Sequence, residues 1–228
     1  VKRAQRGFNL ISLMVGMTLS LISVLAMLSL YRNMVGISVQ SIQDARQDGQ
    51  IAAALLTAQQ ELRNAGFWIT DTPDTAIKLL YGAALTNGTL SRTGERAWPY
   101  TTEVSGNALI WIYKTGSTAT ATCAGLLVQA GKLMRLQGAS SCTALSQWNS
   151  TTWTTTTLIE SNQPADFFKA IQIACWPFGK AVTPFSTVPV KVTMTAATSV
   201  PDSTNTSSTP SYVKSTSETC LTNLAPKT

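Results

Sequence analysis

Three textures of hydrophobic and polar positions succeed one another along this chain. Residues 8–30, FNLISLMVGMTLSLISVLAMLSL, carry no charged side chain, and Leu, Ile, Val, Met and Phe dominate every side of the helix they would form. Residues 31–66 read differently, because Ile51, Leu55, Ala58, Leu62 and Ala65 recur at spacings of four, three, four and three. Those intervals keep one face of a helix apolar, while Gln47, Asp48, Gln50, Gln59, Gln60, Glu61 and Arg63 occupy much of the remaining surface. No proline interrupts residues 31–65, and Asn64-Ala65-Gly66 supplies a stop, since Gly66 is free to take the left-handed conformation. The two stretches are predicted to form one helix of nearly sixty residues, roughly 85 Å long.

Beyond residue 66 the pattern becomes that of strands. ALIWIYK, residues 108–114, is a run of β-branched and aromatic residues that predicts a buried strand. GLLVQAGKLMRLQ, residues 125–137, predicts two strands joined at Ala130-Gly131, and Asn87-Gly88 marks another turn. Residues 168–175 and 187–194 add further strands. In the last, Val188, Val190, Val192 and Met194 alternate with Thr187, Pro189, Lys191 and Thr193, as expected of a half-buried antiparallel strand. Pro189 places that strand at an edge or faces outward. Residues 149–157, NSTTWTTTT, are low in complexity, and about residues 195–219 are Ser/Thr-rich with Pro201 and Pro210, which predicts a long exposed loop. The fold class expected is α+β, with a long N-terminal helix packed through its apolar stripe on an antiparallel β-sheet head.

Composition narrows the function classes. Only 12% of the 228 residues are charged, about half the usual share. The net charge of +6 points toward nucleic acid or anionic membrane, but Lys2, Arg3 and Arg6 supply three of those charges within the first six residues. The chain contains no histidine, which removes the commonest general base and neutral metal ligand. No cofactor or metal is implied, no acidic residues fall at catalytic spacing, and an enzyme is not expected. Cys123, Cys142, Cys175 and Cys220 form no CxxC pair, and an even set behind an apolar segment reads as two disulfides in an oxidising compartment. Three connectivities are open. Cys123–Cys142, flanking the 125–137 hairpin, with Cys175–Cys220, tying down the C-terminal segment, is the favoured one.

The 23 uncharged positions of the first texture span roughly 34 Å, enough to cross a bilayer core. The basic residues before them place the short tail in the cytoplasm and the rest of the chain outside. An ordinary signal peptide does not fit, because the apolar region is too long and no A-x-A site follows it.

RGFNLISLMV, residues 6–15, resembles the class III signal of type IV pilins and type II secretion pseudopilins, in which a short basic leader ends in Gly and the mature chain begins with an N-methylated Phe. QIAAALLTAQQELRNAGF, residues 50–67, is similar to the second-half helix of PilW-type minor pilins, which ends in a Leu-Arg-x-Ala-Gly-aromatic pattern. Together these cover about the first 67 residues; further on the likeness is only to pilin-like heads in general. The resemblance implies a leader at 1–7, a membrane and filament-core helix at 8–30, its amphipathic half at 31–66, and a disulfide-stabilised β-rich head at 67–228. Gly7 would be the last leader residue and Phe8 the methylated N-terminus. Asn9 departs modestly from the family's usual Thr.

Ser12 departs more. It is the fifth residue of the implied mature chain, where the family generally has a Glu that partners the charged N-terminus of an adjacent subunit. A serine cannot neutralise that amine, and a subunit at the tip of a filament has no neighbour beyond it to neutralise. Tolerated drift in a low-copy subunit is the competing explanation. The implied function is a minor pilin that primes or caps assembly of a type IV pilus at or near the tip. The alternatives are a type II secretion pseudopilin, or a tip adhesin or DNA-uptake subunit. Implied partners are other minor pilins and the major pilin, a prepilin peptidase, the inner-membrane assembly platform, and the membrane itself before assembly; the implied location is the bacterial inner membrane, then the extracellular pilus. For a binding role the candidates are Trp148 and Trp153 in the Thr-rich segment, with Lys132 and Arg135 nearby, whereas Trp111 is expected in the core. The hairpin basic residues are otherwise expected on a solvated face.

Overall fold

The computed structural model describes residues 10–69, 73–140, 142–160, 163–175, 189–202 and 211–224. The chain divides into two compact units, residues 1–46 and 47–228. All described residues of the first unit are helical and belong to α1, Leu10–Leu62.

The second unit begins with the last turns of α1, whose apolar stripe is buried as expected: Ile51, Leu55, Ala58 and Leu62, together with Ala54 and the following Ala65. α1 stops four residues before Gly66. Asn64 N and Ala65 N bond three residues back, to Glu61 O and Leu62 O at 3.1 and 3.0 Å, so the last turn tightens. Gly66 takes a φ of +74°, but its N–H donates to Ile112 O at 3.0 Å, outside the helix. A Cβ at Gly66 would lie 2.6 Å from Leu224 Cδ2, so both conformation and space select glycine here.

A short helix, α2 (Pro73–Ala76), precedes twelve strands. These are β1 (Ile77–Tyr81), β2 (Ala84–Thr86), β3 (Thr89–Ser91), β4 (Gly94–Glu95), β5 (Val104–Gly106) and β6 (Ala108–Tyr113), followed by β7 (Thr122–Gln129), β8 (Lys132–Gly138), β9 (Trp153–Ile159), β10 (Phe168–Gln172), β11 (Val190–Pro201) and β12 (Tyr212–Leu221). Every pairing is antiparallel. The strands form a six-stranded sheet in the order β4-β1-β6-β7-β8-β9, a four-stranded sheet in the order β12-β11-β10-β5, and the β2–β3 hairpin. The head therefore holds two main sheets where the sequence pattern implied one.

Local chemistry explains the turns. Asn87 and Gly88 have φ of 51° and 78°, and Ala130 and Gly131 have φ of 50° and 74°. Left-handed backbone at both central positions is what a two-residue hairpin needs to match strand twist. β6 and β7 are buried on both faces, which is why they read as continuous apolar runs. β11 alternates buried with half-buried positions through Ala196, as its period-two pattern predicts.

The two sheets exchange chain at Asn107, which separates β5 from β6. A Cβ on the preceding Gly106 would sit 2.2 Å from Leu80 O, so only glycine permits this approach. The buried Asn107 side chain then secures the corner. Its Oδ1 accepts from Ala83 N at 2.8 Å, and its Nδ2 donates to Ala83 O at 2.7 Å and Val128 O at 3.0 Å.

Polar ties from the end of α1 reach both sheets. Arg135 of β8 pairs with Glu61 at 2.9 Å, Gln59 Nε2 donates to Glu218 O of β12 at 3.0 Å, and Ser199 of β11 donates N–H and O–H to Asp48 Oδ1, both at 3.2 Å. The disulfides are Cys123–Cys142 and Cys175–Cys220, the favoured connectivity.

Several expectations need correction. The segment from 195 to 219 is largely strand: β11 continues to Pro201 and β12 begins at Tyr212, with residues 203–210 outside the described set. Ser and Thr there are partners across a ladder, and β-branched Thr suits that role. Likewise, residues 153–157 open β9. Pro189 stands one residue before β11, an interior strand, and so needs no edge; residues 187–188 are outside the described set.

Candidate membrane and assembly helix

Between Leu10 and Gln43 the only charged side chain is Arg32. The large apolar side chains from Leu10 to Ile42 are 42–74% exposed, which a water-facing helix does not sustain without a partner or a lipid solvent. α1 is long and apolar enough to cross a membrane. Three of its hydroxyls bond back within the helix: Thr18 Oγ1 donates to Val15 O at 3.0 Å, Ser20 Oγ to Met17 O at 2.9 Å and Ser23 Oγ to Leu19 O at 2.9 Å. Such back-bonding removes the penalty a free hydroxyl would meet in hydrocarbon.

The apolar character continues past the length a bilayer requires. On a helix of 100° per residue, Tyr31, Met34, Val35, Ile37, Val39 and Ile42 fall on one broad arc, and Arg32, Asn33, Gly36, Gln40 and Gln43 fall on the other. Three interior glycines add to this. A Cβ at Gly16, Gly36 or Gly49 would meet nothing within 4 Å, yet each glycine costs about 1 kcal/mol relative to alanine inside a helix. Packing within the described chain gives no reason for them.

Ser12 lies in the first described turn of α1, exposed. Gly7 and Phe8 lie outside the described residues.

The tryptophans sort differently from the sequence reading. Trp111 is in the core as expected. Trp148 and Trp153, the candidates for an exposed binding surface, are 4% and 3% exposed. Trp153 Nε1 donates to Trp148 O at 2.8 Å, and the Arg92 guanidinium stacks over the Trp148 ring at 4.7 Å. Polar neighbours in sequence masked two aromatic side chains that fold inward. Lys132 pairs with Glu160 in the open, as a solvated face implies, but Arg135 is drawn to Glu61. Of the described tryptophans it is Trp68 that is exposed, at 46%, beside Phe67 at 43%, with ring centroids 6.1 Å apart. Trp68 has a φ of +54°, an uncommon setting for a bulky residue. Their position just beyond the Gly66 stop, off the buried stripe of α1, is the sequence signal that marks them.

A cleft of about 300 Å³ opens beside Asp74, Lys78, Lys114, Thr143 and Ser146. Lys78 is engaged by Glu95, and among the described residues no group of three or more His, Cys, Asp or Glu could hold a metal ion.

The fold and site define an α+β chain whose N-terminal apolar helix can cross a membrane and whose β-rich head carries two disulfides. Comparison with protein-family models, with curated proteins and with solved structures finds no significant match for it.

Proposed function

We propose that this chain is a non-enzymatic minor pilin of a type IV pilus, cleaved after Gly7, N-methylated at Phe8, and acting at or near the filament tip to prime or cap assembly. The observation that carries the reading is the division within α1. Residues 10–43 present apolar side chains to the surroundings, while Ile51, Ala54, Leu55, Ala58 and Leu62 bury one stripe among head residues. A helix so divided has a soluble head at one end and needs lipid or other apolar helices at the other. The class III signal resemblance at residues 6–15 turns that need into a membrane stage followed by a filament stage. Two disulfides suit a head outside the cytoplasm. The partners in this reading are the major and other minor pilins, the prepilin peptidase and the inner-membrane assembly platform.

Membership in a type II secretion system would use the same helix and cleavage. Deletion separates the roles. Loss of fibres supports priming of pili, loss of secretion with intact pili supports the pseudopilin, and normal fibres that fail to bind a surface or DNA support a tip adhesin.

A further inference from the structure

The edges of the two main sheets are guarded unequally. β4 is two residues long, and both Lys78 and Arg92 pair with its Glu95. β5 is three residues long, and Arg96 Nε occupies the Ser105 carbonyl at 2.8 Å. β12 carries Lys214 and Glu218, and Gln59 from α1 occupies the Glu218 carbonyl. Short length, charge and cover are the usual ways in which sheet edges avoid pairing with other chains. Between Thr154 and Thr157, β9 has none of them, its one register shift lying at the far end, opposite Leu133 and Met134. It is seven residues, WTTTTLI, without a charge, proline or glycine, and Thr154 to Thr157 are all exposed.

Backbone polarity along β9 can be assigned. Ala139 N donates to Thr152 O at 2.9 Å, and the register pairs Gln137 with Thr154 and Arg135 with Thr156. Residues 152, 154 and 156 therefore turn their backbone groups toward β8, and alternation turns those of 153, 155 and 157 away. Trp153 confirms this, since its N–H points outward to Gly88 O at 2.7 Å. The β2–β3 hairpin covers the edge at that point, through the Thr89–Thr152 bridge. Among the described residues nothing pairs with the outward N–H and C=O groups of Thr155 and Thr157.

We propose that β9 is a docking edge for a second copy of this chain, the two β9 strands adding antiparallel about a twofold axis through Thr156. Self-pairing suits this segment for three reasons. It sets threonine against threonine, a favourable cross-strand combination, and no like charges meet. Pairing Thr155 with Thr157 of the copy, and the reverse, makes four backbone hydrogen bonds from groups that otherwise face water. The covering hairpin at Thr152 confines the contact to residues 154–158, so Glu160 of either copy stays outside it. Thr156 then faces its own copy as a non-hydrogen-bonded pair, with Cα atoms about 4.5 Å apart and within the range a disulfide spans. The interface depends on the head alone and stands whether or not α1 enters a filament.

The test uses the full chain in detergent micelles with both native disulfides intact. Thr156→Cys should give a covalent dimer under mild oxidation, and Lys214→Cys, on the guarded edge, should not. Thr156→Lys and Thr156→Glu should each weaken association about tenfold by sedimentation, through like-charge repulsion at the axis, and an equal mixture of the two should restore it. Unchanged tryptophan fluorescence verifies folding of these surface variants, and the helix common to all of them cannot account for a difference between them. Cross-linking of Thr156→Cys no faster than Lys214→Cys overturns the proposal, as does association indifferent to both charges or an unmodified chain that stays monomeric.

Discussion

Asn107 is the corner at which the chain leaves the four-stranded sheet and enters the six-stranded one, and replacing it by alanine should loosen the whole head. The side chain makes three hydrogen bonds, to Ala83 N, Ala83 O and Val128 O. Each contributes about 1 kcal/mol net, and the groups it abandons are buried, where an unsatisfied partner costs ~1–3 kcal/mol. Some of that cost is recovered if water enters the vacated space, so Asn107→Ala should destabilise the head by ~3–5 kcal/mol, a large part of the ~5–15 kcal/mol of a typical domain. Asn107→Asp is the sharper variant. It keeps the acceptor for Ala83 N but aims a carboxylate at two carbonyl oxygens, so at neutral pH it should be no better than alanine. The assay is urea unfolding with disulfides intact, followed by fluorescence of the buried Trp111, Trp148 and Trp153. A loss below about 1 kcal/mol for Asn107→Ala, or an aspartate variant as stable as the original at pH 7, would refute the clamp.

Three further outcomes can be stated. Replacing Cys175 and Cys220 by alanine removes a 45-residue closure and should cost ~4 kcal/mol, against ~3 kcal/mol for the 19-residue closure of Cys123 and Cys142; the reverse order in denaturant midpoints would contradict a loop-entropy origin. Burial pushes the Tyr100 hydroxyl up to about 12, partly offset by the N–H of Leu79 and slightly assisted by Glu95. Below pH 10 both folded and unfolded chains hold that proton, but between pH 10 and 12 the unfolded chain ionises first, so stability should fall by ~2–3 kcal/mol across that window and Tyr100→Phe should flatten the slope. If the proposed pilin reading is right, Ser12→Glu, which supplies the acid that the resemblance implies at this position, should move the subunit from the tip into the shaft or reduce the number of pili; unchanged position and pilus count would mean that the serine is drift.

Local features of this fold are legible in the sequence, and long-range ones are not. The stripe of Ile51, Leu55, Ala58, Leu62 and Ala65, the turns at Asn87-Gly88 and Ala130-Gly131, and the Cys123–Cys142 bridge all follow from neighbours within a few turns or one hairpin, and Cys175–Cys220 then follows by elimination. The switch between sheets at Asn107 depends on Leu80, Ala83 and Val128, which the chain brings together only on folding. Trp148 and Trp153 fold inward although their segment is Thr-rich: in a strand each residue answers only to its own face, which buries Trp153, and Trp148 ends the 3-10 turn Leu145–Gln147. The Ser/Thr-rich stretch at about 195–219 reads as a loop for a related reason: a pair of strands that buries little on one face carries a weak alternation, and its composition resembles that of a disordered segment. At the candidate assembly helix, the uncharged run was plain in the sequence, but the open space at Gly16, Gly36 and Gly49 required coordinates.

The most direct measurement is the mass of the N-terminal peptide of this protein, recovered from cells that contain a prepilin peptidase and from matched cells without it. A pilin subunit should begin at Phe8 with one added methyl group in the first case and retain the residues up to Gly7 in the second. An unmodified terminus upstream of Gly7 in both would contradict the proposed function.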